Sequence, residues 1–206
     1  MSQGTQKQFC ETGKGEGITL NHTIRIETPF TREEASQLRA GETAYISGII
    51  YAARDAAHKK LIALLDEGKE LPFDIKDQII YYVGPCPARP GHVIGSAGPT
   101  TSGRMDAYAP ALIERGLTGM IGKGLRSGQV VDSIIKHGAV YFGATGGAGA
   151  LLAKCIFAEE VIAFPELGPE ALRKFIVRDF PVTVVVDSSG EDLYKTGREK
   201  YKIQQC

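Results

Sequence analysis

From residue 43 onward, short β-branched and aromatic runs alternate with stretches of helical spacing, and glycine or proline marks most of the changeovers. This alternation constrains the chain most, because strand-sized runs separated by helices bury their apolar faces in a layered α/β domain. Strands are predicted over 43–51, 79–83, 92–96, 139–142, 161–164 and 182–186, the last being the most strand-like run present. Ahead of them, Ile18, Leu20, His22, Ile24 and Ile26 alternate with polar residues at the period of a half-buried strand. Thr31 and Glu34 form a capping-box pair that opens a short helix closed by Gly41. Asp55 caps a helix with Leu61, Ile62, Leu64 and Leu65 on its apolar face. Further helices are predicted over 104–115, stopped by Gly116, and over 128–137, stopped by Gly138, and Pro169 suits the first position of another.

With 206 residues, no repeat and no central linker, the chain reads as one domain able to bury a full core. Its bounds are set at 18–195, between a polar lead-in (1–17) and a polar tail (196–206). Lys+Arg 24 balance Asp+Glu 24, which argues against the clustered basic excess of a duplex-binding surface. With Trp 0 and 8% aromatics there is no evident stacking platform for single strands, so no nucleic-acid partner is expected. No apolar run reaches the roughly 18 residues of a membrane span. The opening stretch is polar and lacks an apolar h-region, so no secretion signal is read there and a cytoplasmic location is expected. Cys10, Cys86, Cys155 and Cys206 are too widely spaced for a Cys-x-x-Cys motif, and this chain alone is expected to hold no metal.

Chemistry concentrates where strands meet helices. Gly98-Pro99-Thr100-Thr101-Ser102-Gly103-Arg104-Met105-Asp106 combines hydroxyls, backbone N–H groups and a guanidinium suited to a carboxylate; the bland reading is a helix cap with a surface arginine. Arg54-Asp55-Ala56-Ala57-His58 lies at a similar junction, so Arg54 would point to the same sheet edge if the strands run one way; Asp55 reads equally well as an N-cap. Gly122-Lys123-Gly124 sets a lysine between glycines without the spacing of a P-loop. The glycine-rich 143–149 turn, with Glu166 about 20 residues on, resembles a dinucleotide fingerprint in position but not in spacing, and close backbone packing explains it better.

Taken together, Tyr82-Val83-Gly84-Pro85-Cys86-Pro87-Ala88, the Ile94–Asp106 block with its Gly-Pro-Thr-Thr-Ser-x-Arg-Met-Asp core, and Met120-Ile121-Gly122-Lys123-Gly124 resemble the C-terminal domain of class I fumarases. In two-subunit members that domain is a separate β chain, and L-tartrate dehydratase β subunits are closely similar. Arg54-Asp55-x-Ala57-His58, Phe164-Pro165-Glu166-Leu167-Gly168 and Asp179-Phe180-Pro181 fit the same pattern, so the resemblance covers roughly residues 18–195.

The resemblance implies a swivelling β/β/α domain and one half of an iron–sulfur hydro-lyase. In that family an N-terminal region, or a separate α subunit, holds a four-iron four-sulfur cluster through three cysteines. The implied partner is therefore a cluster-binding α subunit in an α2β2 complex, with fumarate, L-tartrate or mesaconate as the dicarboxylate substrate. Arg54, Arg104 and Lys123 would hold substrate carboxylates, and Thr100 would supply an acid/base hydroxyl opposite an aspartate of the partner. Asp55, His58, Thr101 and Ser102 would support them. Two readings of other classes stay open: a nucleotide-binding module built on the 143–149 turn, and a non-catalytic assembly subunit.

Overall fold

A computed structural model describes residues 24–200 and 202. The expected lead-in, the 18–23 part of the first alternating pattern, Cys10 and Cys206 lie outside the described residues. The chain forms β1 (Ile24–Glu27), α1 (Arg32–Gln37), β2 (Thr43–Ala52), α2 (Asp55–Asp66), β3 (Ile79–Tyr81), α3 (Ala109–Glu114) and β4 (Gly119–Gly122). These are followed by α4 (Gly128–His137), β5 (Val140–Gly143), α5 (Gly149–Ala153), β6 (Ile156–Ala163), β7 (Leu172–Val186) and α6 (Leu193–Lys200). Single 3-10 segments cover Ser102–Met105 and Pro165–Glu170.

Strands β1 to β5 run parallel, each hydrogen-bonded to the next. Strand β7 runs against them. One of its edges pairs with β2 from Thr183 to Arg173; the other pairs with β6 and then with β5. The sheet thus closes on itself through β2, β3, β4, β5 and β7 as a small barrel. The mixed α/β class follows from the sequence, but the closure does not. Residues 173–181 carry Arg173, Lys174, Arg178, Asp179 and Pro181, which hide the strand. Its irregularity sits in a bulge, where Arg178 and Asp179, between Val177 and Phe180, oppose the single residue between Ile46 and Gly48, and Asp179 takes a φ of 48°.

Alternation within the strands sorts two cores. Ile79, Tyr81, Ile121, Val140 and Phe142 point into the barrel with Ile46, Ile50, Phe175, Phe180 and Val184. Ile80, Tyr82, Met120 and Tyr141 face outward, under Ala57 and Leu61 of α2, Leu112 and Ile113 of α3, and Val130 and Ile134 of α4. Strands β3 to β5 are therefore covered on both faces, which is why residues 79–83 read as an unbroken apolar run.

Several predicted elements shift. Residues 92–96 form no strand; this loop folds back so that Cys86 N–H donates to the Ser96 carbonyl and Gly95 N–H to that of Cys86. The helix expected over 104–115 is a 3-10 turn at Ser102–Met105, then α3 with Pro110 in its first turn. Helix α1 keeps its capping box but ends at Leu38 rather than Gly41, and Arg54 rather than Asp55 is the N-cap of α2. Pro169 falls inside the 3-10 segment rather than opening a helix, and the 161–164 strand is the end of the longer β6. Strand β4 went unread because Gly-Met-Ile-Gly has little β propensity of its own; complete burial between β3 and β5 makes it a strand.

Candidate active site

Because β2 to β5 are parallel, their carboxyl ends meet at one edge, where open α/β sheets gather ligands. Arg54 follows β2, Tyr82 to Gly84 follow β3, Lys123 follows β4, and the glycine-rich turn follows β5. The Thr100 to Arg104 segment is laid between the ends of β3 and β4. Thr100 N–H donates to the Tyr82 carbonyl at 2.7 Å, Lys123 N–H to the Thr100 carbonyl at 3.3 Å, and Ser102 N–H to the Lys123 carbonyl at 2.8 Å. Thr101 thereby pairs with Lys123 as a one-residue extension of the sheet. No α-helix begins at this segment, so the helix-dipole argument for anion binding there is corrected to one of side-chain charge.

Asp55 joins the two arginines. Its Oδ2 accepts from Arg54 Nε at 3.1 Å, and its Oδ1 lies 2.7 Å from Arg104 Nε as an ion pair. Both guanidinium groups are gripped through Nε. Arg104 is half exposed, so its terminal nitrogens remain for a ligand. Partial burial pushes the Asp55 carboxyl up, but the hydrogen bond from Arg54 and the charges of Arg104 and Arg54 outweigh it and hold its pKa below the ordinary carboxylate value. Glu170, from the second 3-10 segment, braces the other side of Arg54 at 3.4 Å and accepts from Ala56 N–H at the start of α2. A glycine makes room for one of these cations: a Cβ on Gly84 would come within 2.9 Å of Arg54 Cδ.

The supporting candidates separate. Thr101 is exposed at the edge, whereas Ser102 is buried with its hydroxyl 2.9 Å from the Tyr141 hydroxyl, which donates to the Gly124 carbonyl. His58 is fully buried, and its Nδ1 lies 3.0 Å from the Arg54 carbonyl. The Gly149 end of the 143–149 turn is closely packed: Ala97 N–H donates to the Gly149 carbonyl, and a Cβ on Gly149 would lie 2.8 Å from Gly98 N. Glu166 pairs with Lys60 on the surface. Gly149 therefore serves the close backbone packing expected of this turn. Among the described residues no group of three or more His, Cys, Asp or Glu is placed to hold a metal; Cys86 is exposed and Cys155 half-buried, each a free thiol. The described residues do not fit cluster ligation. No helix among the described residues is long and apolar enough to cross a membrane.

A sequence-family model described as Fumarase C-terminus matches residues 2–197. The chain belongs to the fumarase C-terminus family. Its relatives include the anaerobic class I fumarate hydratase of Escherichia coli, 42% identical over 92% of this chain and 34% of that protein, and fumarate hydratase 2 of Leishmania major, 44% identical over 85% and 32%. A putative L(+)-tartrate dehydratase subunit beta from Methanocaldococcus jannaschii is 36% identical over 83% of this chain and 91% of that subunit. The chain thus spans about a third of the fumarate hydratases it matches and nearly all of the tartrate dehydratase subunit.

Within this fumarase C-terminus domain, Glu170 and Arg126 are site neighbours that nothing in the sequence singles out, and Asp106, the last residue of the 98–106 segment, gains a tertiary role. Asp106 binds Arg126 Nε at 2.7 Å and Ser127 N–H at 2.6 Å, tying the Thr100 to Asp106 segment to the loop after β4. Arg126, whose side chain is wholly buried, stacks over Tyr82 and Tyr141. An arginine between two glycine-bearing turns reads as a solvated charge, and only the fold reveals otherwise.

Proposed function

We propose that this chain is the β-type half of a hydro-lyase that reversibly hydrates fumarate to L-malate together with a cluster-binding α polypeptide, as an α2β2 complex in the cytoplasm. The observation that carries this reading is the Arg54–Asp55–Arg104 clamp beside Lys123 at the strand ends. It presents fixed cations, and a dicarboxylate is the complementary ligand. Family membership supplies the reaction class. Residues 18–195 would form the working unit, of the swivelling β/β/α type. The free thiols Cys86 and Cys155 suit a reducing compartment.

In this reading Arg54, Arg104 and Lys123 bind and orient the two carboxylates. Water addition places a proton on the carbon beside one carboxylate, and its removal in the reverse direction builds charge on that carboxylate. Fixed cations stabilise that charge more than they stabilise the ground state. Thr100 moves the proton at that carbon through its hydroxyl. Threonine is a poor acid in water, and the cationic edge it shares with Lys123 lowers the cost of its ionised form. The opposing base is an aspartate of the partner, which also carries the iron–sulfur cluster, since the cysteines described here do not form a ligand set. A second reading, dehydration of L-tartrate to oxaloacetate, is favoured by the near-complete coverage of the tartrate dehydratase subunit.

Steady-state kinetics of the anaerobically assembled complex with fumarate, L-tartrate and mesaconate tests the reading. Arg104→Lys keeps the charge but loses the forked geometry, and should lower kcat/KM about ten- to a hundredfold. Thr100→Val should depress kcat by about 10²–10⁴ with little change in KM. Unchanged turnover in an assembled Thr100→Val complex overturns the catalytic assignment, and no turnover of any dicarboxylate overturns the function.

A further inference from the structure

We propose that His58, Tyr82 and Arg126 enclose one internal water and, through it, form the positioning centre behind Arg54, Thr100 and the Arg104 to Asp106 segment. Five buried side-chain polar atoms among the described residues lack a hydrogen-bond partner, and three of them belong to neighbouring side chains: His58 Nε2, Tyr82 Oη and Arg126 Nη2. They lie together. The His58 and Tyr82 rings meet edge to face at 5.2 Å between centroids, and the Arg126 guanidinium carbon lies 5.3 Å from the Tyr82 centroid.

The chemistry of the three atoms is complementary. A carbonyl can only accept, so the contact between His58 Nδ1 and the Arg54 carbonyl puts the ring proton on Nδ1 and leaves Nε2 as an acceptor. Burial keeps the ring neutral, with its pKa lowered to about 4; the Arg126 charge pushes the same way, against the Arg54 carbonyl and the Asp55 carboxylate. The groups facing the ring are Arg54 and Asp55 at the start of α2, Tyr82 after β3, Tyr108 ahead of α3, and Arg126 ahead of α4. Arg126 Nη2 is a donor, and the Tyr82 hydroxyl can donate or accept. One water accepting from Arg126 and Tyr82 and donating to His58 Nε2 satisfies all three, with the number of partners typical of buried waters.

Each member of the trio also holds one part of the site. His58 binds the Arg54 carbonyl through both its backbone N–H and Nδ1. The Tyr82 carbonyl receives Thr100 N–H. Arg126 Nε binds Asp106, at the end of the segment that carries Arg104. A water linking the three side chains couples the placement of the binding arginines to that of the threonine. The trio consists of positioning residues, since their side chains are buried behind the strand-end edge rather than presented on it.

The positioning role rests on the hydro-lyase reading, whereas the water and the tautomer do not. A high-resolution crystal structure of the assembled enzyme should show one ordered water bonded to all three atoms, and ring ¹⁵N NMR should show His58 Nε2 unprotonated at neutral pH. Absence of that water, or a protonated Nε2, overturns the proposal whatever the activity. Tyr82→Phe keeps the ring and removes one partner of the water. It should raise KM for the dicarboxylate about two- to tenfold while kcat stays within about twofold. His58→Asn, which can still donate toward the Arg54 carbonyl but presents no acceptor at the water, should do the same. Unchanged KM in both variants overturns the positioning role. If the assembled protein turns over no dicarboxylate, the hydro-lyase reading fails while crystallography and NMR still decide the water.

Discussion

Asp55 and His58 adjoin Arg54 on either side of the first turn of α2, yet they respond to acid in opposite senses. In an unfolded chain His58 would titrate near 6.5; folded, it does so at about 4. Between those values the unfolded chain binds a proton that the folded chain refuses, so His58 removes stability as pH falls from about 6.5 toward 4, by up to about 1.4 kcal/mol per pH unit. Asp55 behaves otherwise, because its folded pKa is depressed. Its clamp on the two arginines stabilises the fold above the unfolded carboxylate value of about 4 and is lost only as pH falls through the lower folded value. Melting temperature measured against pH should therefore fall in two stages. His58→Asn should flatten the upper stage, and Asp55→Asn should flatten the lower one. Loss of the upper stage in the Asp55 variant alone would refute the assignment.

At the scale of elements, local chemistry was legible wherever it decided the outcome. The Thr31–Glu34 capping box is present in both directions, and α4 ends at Gly138 in the left-handed conformation with a φ of 69°. The meeting of Arg54 with the Thr100 to Arg104 segment at one strand-end edge was legible too, from the strand-to-helix junctions that carry them. What the sequence hid was set by tertiary contact. Strand β4 exists because its neighbours pair with it, Glu170 and Arg126 gain meaning only across long stretches of chain, and the bulge in β7 turns a broken pattern into a continuous strand. Gly122, the last residue of β4, shows how tightly these contacts are made. A Cβ there would overlap the Ser102 hydroxyl and reach 3.0 Å from the Tyr82 ring. Gly122→Ala should cost about 1–3 kcal/mol of stability by overpacking. Adding Ser102→Ala should return part of that loss, because the overlapping oxygen is gone. A double-mutant cycle by denaturant melts that shows simple additivity would argue that the two residues do not press on each other.

At the scale of the whole molecule, the chain carries a finished core and an unfinished site. Both faces of the central strands are buried within this chain, so it should fold cooperatively by itself. The clamp, in contrast, faces outward with Arg104 half exposed. The purified chain alone should be folded, colourless and without dehydratase activity. Circular dichroism, a visible spectrum and an activity assay check all three, and a brown chain or one active alone would contradict the division of labour. Light scattering of the co-expressed pair should then report one α2β2 species rather than separate chains. The way the barrel closes has a consequence for how the molecule is made. The strand that seals it, β7, lies in the last fifth of the sequence, so the ribosome delivers β1 to β6 before the seam can be sewn. Until residues 172–186 emerge, β2 and β5 each present an open edge of unpaired amides, the surface on which nascent chains stick to one another. Synthesis therefore passes through an interval of exposed edges that ends when β7 emerges, and that is where a holding chaperone would act.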